Sequence, residues 1–153
     1  MAIDMTGGLG SVVTGLVCQV QSLAMPKGRS GIDVDKAVRY LLDNAEAGSV
    51  HKCARYVRLA MMEGGGLKLK QWPEPAKEYG PTLKHCGFLA LPLSICTPAK
   101  GDVCVFQPCK GTSTAGHIQM YTGEEWCSDF IQDGFWPSSY YEKGKASYAF
   151  YRP

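Results

Sequence analysis

The grammar of the chain changes once, at Gly101, and that switch restricts the fold more than any other feature. Before it, apolar residues recur with the period of a helix. After it, short runs rich in Val, Phe, Tyr, Ile and Trp are separated by clusters of Gly, Pro, Asp and Ser, the pattern of antiparallel strands joined by turns. Helices first and a small antiparallel sheet afterwards imply an α+β domain. A chain of 153 residues is expected to form one domain, 1–153, burying roughly 70% of its unfolded surface in a single core.

The helical half resolves into two segments. Val34, Ala37, Val38, Leu41 and Leu42 share a face over Asp33 to Ala45, with Asp33 as N-cap and Gly48 as stop. The second helix is expected within 49–66: it opens after Ser49, carries Cys53, Val57, Ala60 and Met61 on one face, and ends at three glycines. Cys53 then lies in a first helical turn. Residues 67–98 hold five prolines and little period, so a long irregular loop is expected, with one short helix near Tyr79 to Cys86. The sheet, 101–153, is read as strands at Asp102–Gln107, His117–Tyr121, Trp126–Ile131 and Ser147–Arg152. Residues 1–30 form an N-terminal arm; its apolar, glycine-rich stretch from Gly7 to Val20 lacks the basic flank and cleavage site of a secretory signal.

Several function classes drop out. Sixteen Lys and Arg face fourteen Asp and Glu, a net charge of +2, and the basic residues are scattered, so no nucleic-acid footprint exists. The apolar stretches at Gly10–Val20 and Phe88–Ile95 are interrupted and fall short of the ~20 residues a membrane helix needs. Seven cysteines (Cys18, Cys53, Cys86, Cys96, Cys104, Cys109, Cys127) include no CxxC pair, and three histidines (His51, His85, His117) show no paired ligand spacing, which argues against structural zinc. An odd cysteine count fits six in bridges and one kept free, in an oxidising compartment. Cys86 with Cys96 and Cys104 with Cys109 span short loops that could close. The alternative is that several are small buried hydrophobes.

One constellation carries chemistry. A thiol attacks as thiolate, favoured by a helix N-terminus and by a nearby imidazole. Cys53 has the first from its position; His117, opening the strand of GHIQMY, is the best candidate for the second, as base and then acid. Asp129, read as lying within the next strand, would accept from the other ring nitrogen of His117. The backbone amide of Cys53 would face the developing oxyanion. His51 competes with His117 as base but precedes the helix; Glu124, Glu125 and Asp133 compete with Asp129; His85 sits in the irregular region. Trp72, Trp126 and Trp136 are expected to wall a substrate groove, along with Tyr79, Phe88, Phe135, Tyr140 and Tyr141.

These residues resemble a family. A helix opening with Cys53 in HKCARYVRLAM, a glycine stop, the strand GDVCVF, then GHIQMY with His117 and WCSDF, looks like the papain-like NlpC and CHAP superfamily of cell-wall cysteine hydrolases, over Ser49 to Phe130. The small size and the run GHIQMYTGEEWCSDF look most similar to the amidase effectors of bacterial type VI secretion. The resemblance implies a peptidoglycan substrate, hydrolysis of a peptide or amide bond by Cys53, His117 and Asp129 without cofactor, secretion into a rival's periplasm, and a cognate immunity protein as partner. Two other classes share the same residues: a disulfide-rich binding module with Cys53 bridged, and a Cys/His toxin acting on proteins as a deamidase does.

Overall fold

A computed structural model describes residues 27–93 and 97–153. Helix α1 spans Val34–Asn44, α2 spans Cys53–Leu59, α3 spans Tyr79–His85 and α4 spans Ser139–Lys143. Strands β1 (Leu89–Leu91), β2 (Val103–Phe106), β3 (His117–Tyr121), β4 (Trp126–Cys127) and β5 (Tyr148–Arg152) form an antiparallel sheet in the order β1-β5-β2-β3-β4. The α+β expectation therefore matches the architecture. The arm expected over 1–30 lies outside the described residues as far as residue 26.

The carboxylate of Asp33 caps α1 by accepting from the Lys36 amide at 3.0 Å. The helix stops at Ala45, before Gly48, because the next amide, that of Glu46, donates to the carbonyl of Asp129 at 2.7 Å. Helix α2 continues into a π-helical turn, Ala60–Gly64, with Gly65 donating to Ala60 five residues back at 2.9 Å. A Cβ on Gly64 would sit 2.7 Å from Tyr40 Cβ and 2.8 Å from the Lys36 carbonyl, so the glycines let this turn press against α1.

Strand alternation divides the interior in two. Val103, Val105, Ile118 and Met120 face Val38, Leu41, Val57, Met61, Tyr79 and Leu83 from the helices. Cys104 and Phe106 face an aromatic cluster with Trp126, Phe135, Trp136, Tyr141, Tyr148 and Phe150. Beside the sheet, Asp102 accepts a forked pair of hydrogen bonds from Arg152 at 2.9 and 2.8 Å and a third from the Ala99 amide at 2.8 Å; this fully partnered, buried ion pair ties β5 to the start of β2.

Four expectations need correction. The region 67–98 is not wholly irregular: Leu89–Leu91 pairs with β5 as an edge strand. Helix α4 occupies a stretch read as loop. The strand expected over Trp126–Ile131 ends at Cys127, where the chain turns so that the Ser128 amide donates to Phe130 and Cys127 bridges Ile131. Asp129 thus sits in a tight turn rather than within a strand. Finally, Cys53, Cys86, Cys104, Cys109 and Cys127 are free thiols, so the Cys104–Cys109 bridge does not form and no disulfide occurs among the described residues. Cys18 and Cys96 lie outside them. The buried Cys104 and Cys127 fill core space as small hydrophobes.

Candidate active site

A cleft of about 340 Å³ lies where the turn before α2 meets the start of β3. Cys53 and His117 both line it, and Asp129 forms part of its wall. Opposite them, residues 111–116 and 137–141 close the other side. His117 is led into place by Gly116, whose φ of 71° and whose missing side chain are both required: a Cβ there would run into the carbonyl of Phe106.

The half-buried Cys53 thiol opens α2. Burial pushes it above the ordinary thiol range, and the Asp129 carboxylate adds to that; the Ile118 amide and the first amides of α2 pull the other way. Burial also holds the His117 imidazole down, from 6.5 to about 4, against the opposing influence of Gln132, Asp129 and Gln119. Both partners are therefore neutral near pH 7. Desolvation thus opposes the resting thiolate expected from helix position and imidazole together.

Asp129 does not accept a hydrogen bond from His117. Its Oδ2 accepts from the amides of Val50 at 2.7 Å and Lys52 at 3.2 Å, and its Oδ1 from the Ser128 hydroxyl at 3.1 Å. The carboxylate grips the turn that presents Cys53. The partner of the His117 ring is Gln132, whose Oε1 lies 2.8 Å from Nε2. Gln132 Nε2 donates to the carbonyl of Gly134 at 3.2 Å and to Gln119 Oε1 at 2.8 Å, and Gln119 Nε2 donates to the Phe135 carbonyl at 2.9 Å. Two backbone carbonyls, which only accept, fix both amide orientations. Gln132 must then present its oxygen, so His117 carries its proton on Nε2 and leaves Nδ1 as the basic nitrogen.

Sequence reasoning missed Gln132. Gln119, between Ile118 and Met120, shows a polar residue inside an apolar run, whereas Gln132 is flanked by Ile131 and Asp133 and carries no such signal. The three tryptophans are not at the cleft. Trp72 stacks on Tyr79 with centroids 5.3 Å apart and donates to the Leu69 carbonyl, while Trp126 and Trp136 belong to the aromatic cluster beneath the sheet. Of the competing residues, His51 is exposed on the cleft wall, Glu124 and Glu125 line a separate groove with Asp35 and Arg39, Asp133 is exposed, and His85 ends α3 away from the cleft. No group of metal-ligating side chains is present among the described residues.

No protein-family model and no curated protein matches the chain. Two solved structures do: the native and selenomethionine type VI effector-immunity complexes Tae3-Tai3 from Ralstonia pickettii. The first matches at 42% identity with a TM-score of 0.70, over 78% of this chain and 97% of that one. The second also matches at 42% identity, with a TM-score of 0.68, over 76% of this chain and 99% of that one. The chain belongs to the Tae3 family of type VI effectors. In this Tae3-family protein no helix among the described residues is long and apolar enough to cross a membrane.

The buried imidazole of this Tae3-family protein has a stability consequence with a definite sign. The unfolded chain takes up the His117 proton near 6.5 and the folded one near 4, so stability present above 6.5 is lost as pH falls between those values, about 3 kcal/mol in all. His117→Gln is expected to remove that part of the acid sensitivity. Urea midpoints of both proteins at pH 7 and pH 4.5 check this.

Proposed function

We propose that the chain is a cysteine hydrolase of the papain-like NlpC and CHAP type that cleaves an amide bond in the peptide of peptidoglycan, delivered by type VI secretion into the periplasm of a target bacterium. The observation that carries the reading is the shared cleft of Cys53 and His117, with the imidazole held by Gln132 through an amide chain anchored on backbone carbonyls. The kinship with effectors solved as effector-immunity complexes supports the biological setting, and with it a cognate immunity protein as partner.

The chemistry follows from two neutral groups. As Cys53 Sγ attacks the amide carbonyl carbon, its proton passes to His117 Nδ1, and the new oxyanion is met by the Cys53 amide at the start of α2. His117 then gives that proton to the departing nitrogen as the C–N bond breaks, leaving a thioester. Water adds to the thioester with His117 again as base, the C–S bond breaks, and the sulfur recovers its proton as the acid leaves. Asp129 takes no proton in this scheme; it holds the attacking turn. Because His117 accepts the proton only when neutral, kcat/KM is expected to stay high into mild acid and to fall only near pH 4.

Gln132 acts through His117 as a positioning residue. Gln132→Leu frees the ring to rotate or change tautomer, so kcat should drop about 10- to 100-fold, part of what general acid-base catalysis supplies. KM should hardly move, since Gln132 lies behind the imidazole. Steady-state kinetics on a soluble stem-peptide fragment read both quantities.

The setting is tested by producing the protein in a bacterial host with and without a periplasmic export signal. Lysis only in the exported form, abolished by Cys53→Ala, supports the proposal. Equal toxicity from the cytoplasm would instead favour a toxin acting on proteins.

A further inference from the structure

The turn that presents Cys53 contains a residue held in an unusual conformation. His51 has φ 59°, one of two non-glycine residues with positive φ among those described. The cause lies in the hydrogen bonds: Asp129 Oδ2 draws in the amides of Val50 and Lys52, on either side of His51. With both neighbours pulled inward, residue 51 is forced into the left-handed region and its side chain emerges on the cleft wall, two positions before the thiol. Such conformations persist where surrounding structure overrides them, and they concentrate at functional sites.

The chemistry of the wall narrows what His51 could do there. Hydroxyls of Ser49, Thr112, Ser113 and Ser138 line the cleft, together with glycine and apolar surface. No lysine or arginine lines it. Asp129 is buried with its oxygens engaged, and His117 is buried against Gln132. Lys52, adjacent in sequence, opens instead onto a separate depression with Glu46 and Tyr56. Among the described residues, His51 is thus the exposed ionisable side chain lining the cleft, and its imidazole can donate a hydrogen bond. Peptidoglycan peptides offer free carboxylates next to their amide bonds.

We infer that His51 recognises a free carboxylate of the substrate peptide beside the scissile amide, an inference that rests on the hydrolase reading of Cys53 and His117. The carboxylate accepts from the His51 imidazole, with the Ser49 hydroxyl at hand as second donor. This contact sets specificity by binding and takes no part in proton transfer.

The test compares two synthetic stem peptides identical except that the carboxylate flanking the cleaved bond is a carboxamide in one. Wild type should favour the carboxylate form in kcat/KM by about tenfold, the worth of one charge-assisted hydrogen bond. His51→Ala and His51→Gly should lose that preference through KM, with kcat on the carboxamide peptide unchanged. Glycine is the decisive variant, because it adopts φ 59° without strain: its Tm should equal or exceed that of wild type while the preference is still lost. If His51 served only the backbone, His51→Gly would keep the preference, and the inference would be overturned. Equal cleavage of both peptides by wild type would also overturn it while leaving the hydrolase intact. Failure to cleave either peptide would remove the hydrolase reading and this inference with it.

Discussion

Cys53→Ser is expected to keep the fold and lose the reaction. The exchange replaces sulfur by a smaller oxygen at a half-buried position, and a hydroxyl can still accept from the backbone amides around it, so Tm should stay within about a degree or two of wild type. The hydroxyl is far harder to deprotonate than a thiol, and a neutral imidazole held near pKa 4 is too weak a base to compensate. Release of peptide fragments should therefore fall by at least about a thousandfold. His117→Ala should do comparable harm, and the double variant should be little worse than either single one, since nucleophile and base act as a unit. Fragment release followed by chromatography provides the measurement. Activity within tenfold of wild type in Cys53→Ser would place the nucleophile elsewhere.

A second large effect is expected at Asp129, where two substitutions should behave very differently. Asp129→Ala leaves the part-buried amides of Val50 and Lys52 without their acceptor and removes a charge-assisted contact to each, costing about 2 kcal/mol of stability. The turn that aims Cys53 is then released, and a displacement of even an ångström at the reacting atom lowers the rate about a hundredfold. Asp129→Asn keeps a side-chain oxygen for the two amides, and its activity should remain within about tenfold of wild type. The contrast matters because the usual Cys-His-Asp reading makes the opposite forecast: an aspartate that orients the base, exchanged for asparagine, costs about ten-thousandfold through the wrong tautomer. Urea midpoints and kcat for both variants distinguish a carboxylate that grips the turn from one that steers the imidazole.

How much of this was legible in the sequence depends on where each element gets its information. Helix α1 carries its own period and cap, so Asp33 to Ala45 could be read within a residue of Val34–Asn44. His117 to Tyr121 was equally plain, because β-branched and aromatic residues follow a glycine that only a turn requires. Helix α2 ends in its glycines as the sequence indicated, through a π-turn that close packing of Gly64 on α1 produces. It opens at Cys53 rather than just after Ser49, because Asp129 holds the Val50 and Lys52 amides in a turn. The edge strand Leu89–Leu91 was hidden among prolines because its partner, β5, lies some sixty residues away.

The site divides along the same line. Cys53 at a helix start and His117 at a strand start are local statements, and both residues line one cleft. The partner of His117 is not local. Trp126–Ile131 looked like one strand, which put Asp129 beside His117 on paper; the turn at Ser128 sends its carboxylate to the Val50 and Lys52 amides and brings Gln132 to the ring instead. The tryptophans misled for a related reason. Aromatic residues wall grooves and fill cores with equal ease, and here the cluster around Phe106 absorbs Trp126 and Trp136. The charge state of the pair was out of reach as well, because helix position and imidazole proximity are visible in a sequence and desolvation is not.

The most direct test of the central claim is mass analysis of purified peptidoglycan digested by the wild-type protein and by Cys53→Ala. Hydrolysis at the Cys53 sulfur should yield fragments that have gained one water across a peptide amide, with a new carboxyl and a new amine end, intact glycan bonds, and no such fragments from Cys53→Ala. Fragments cut in the sugar backbone, or peptide ends released equally by the alanine variant, would contradict it.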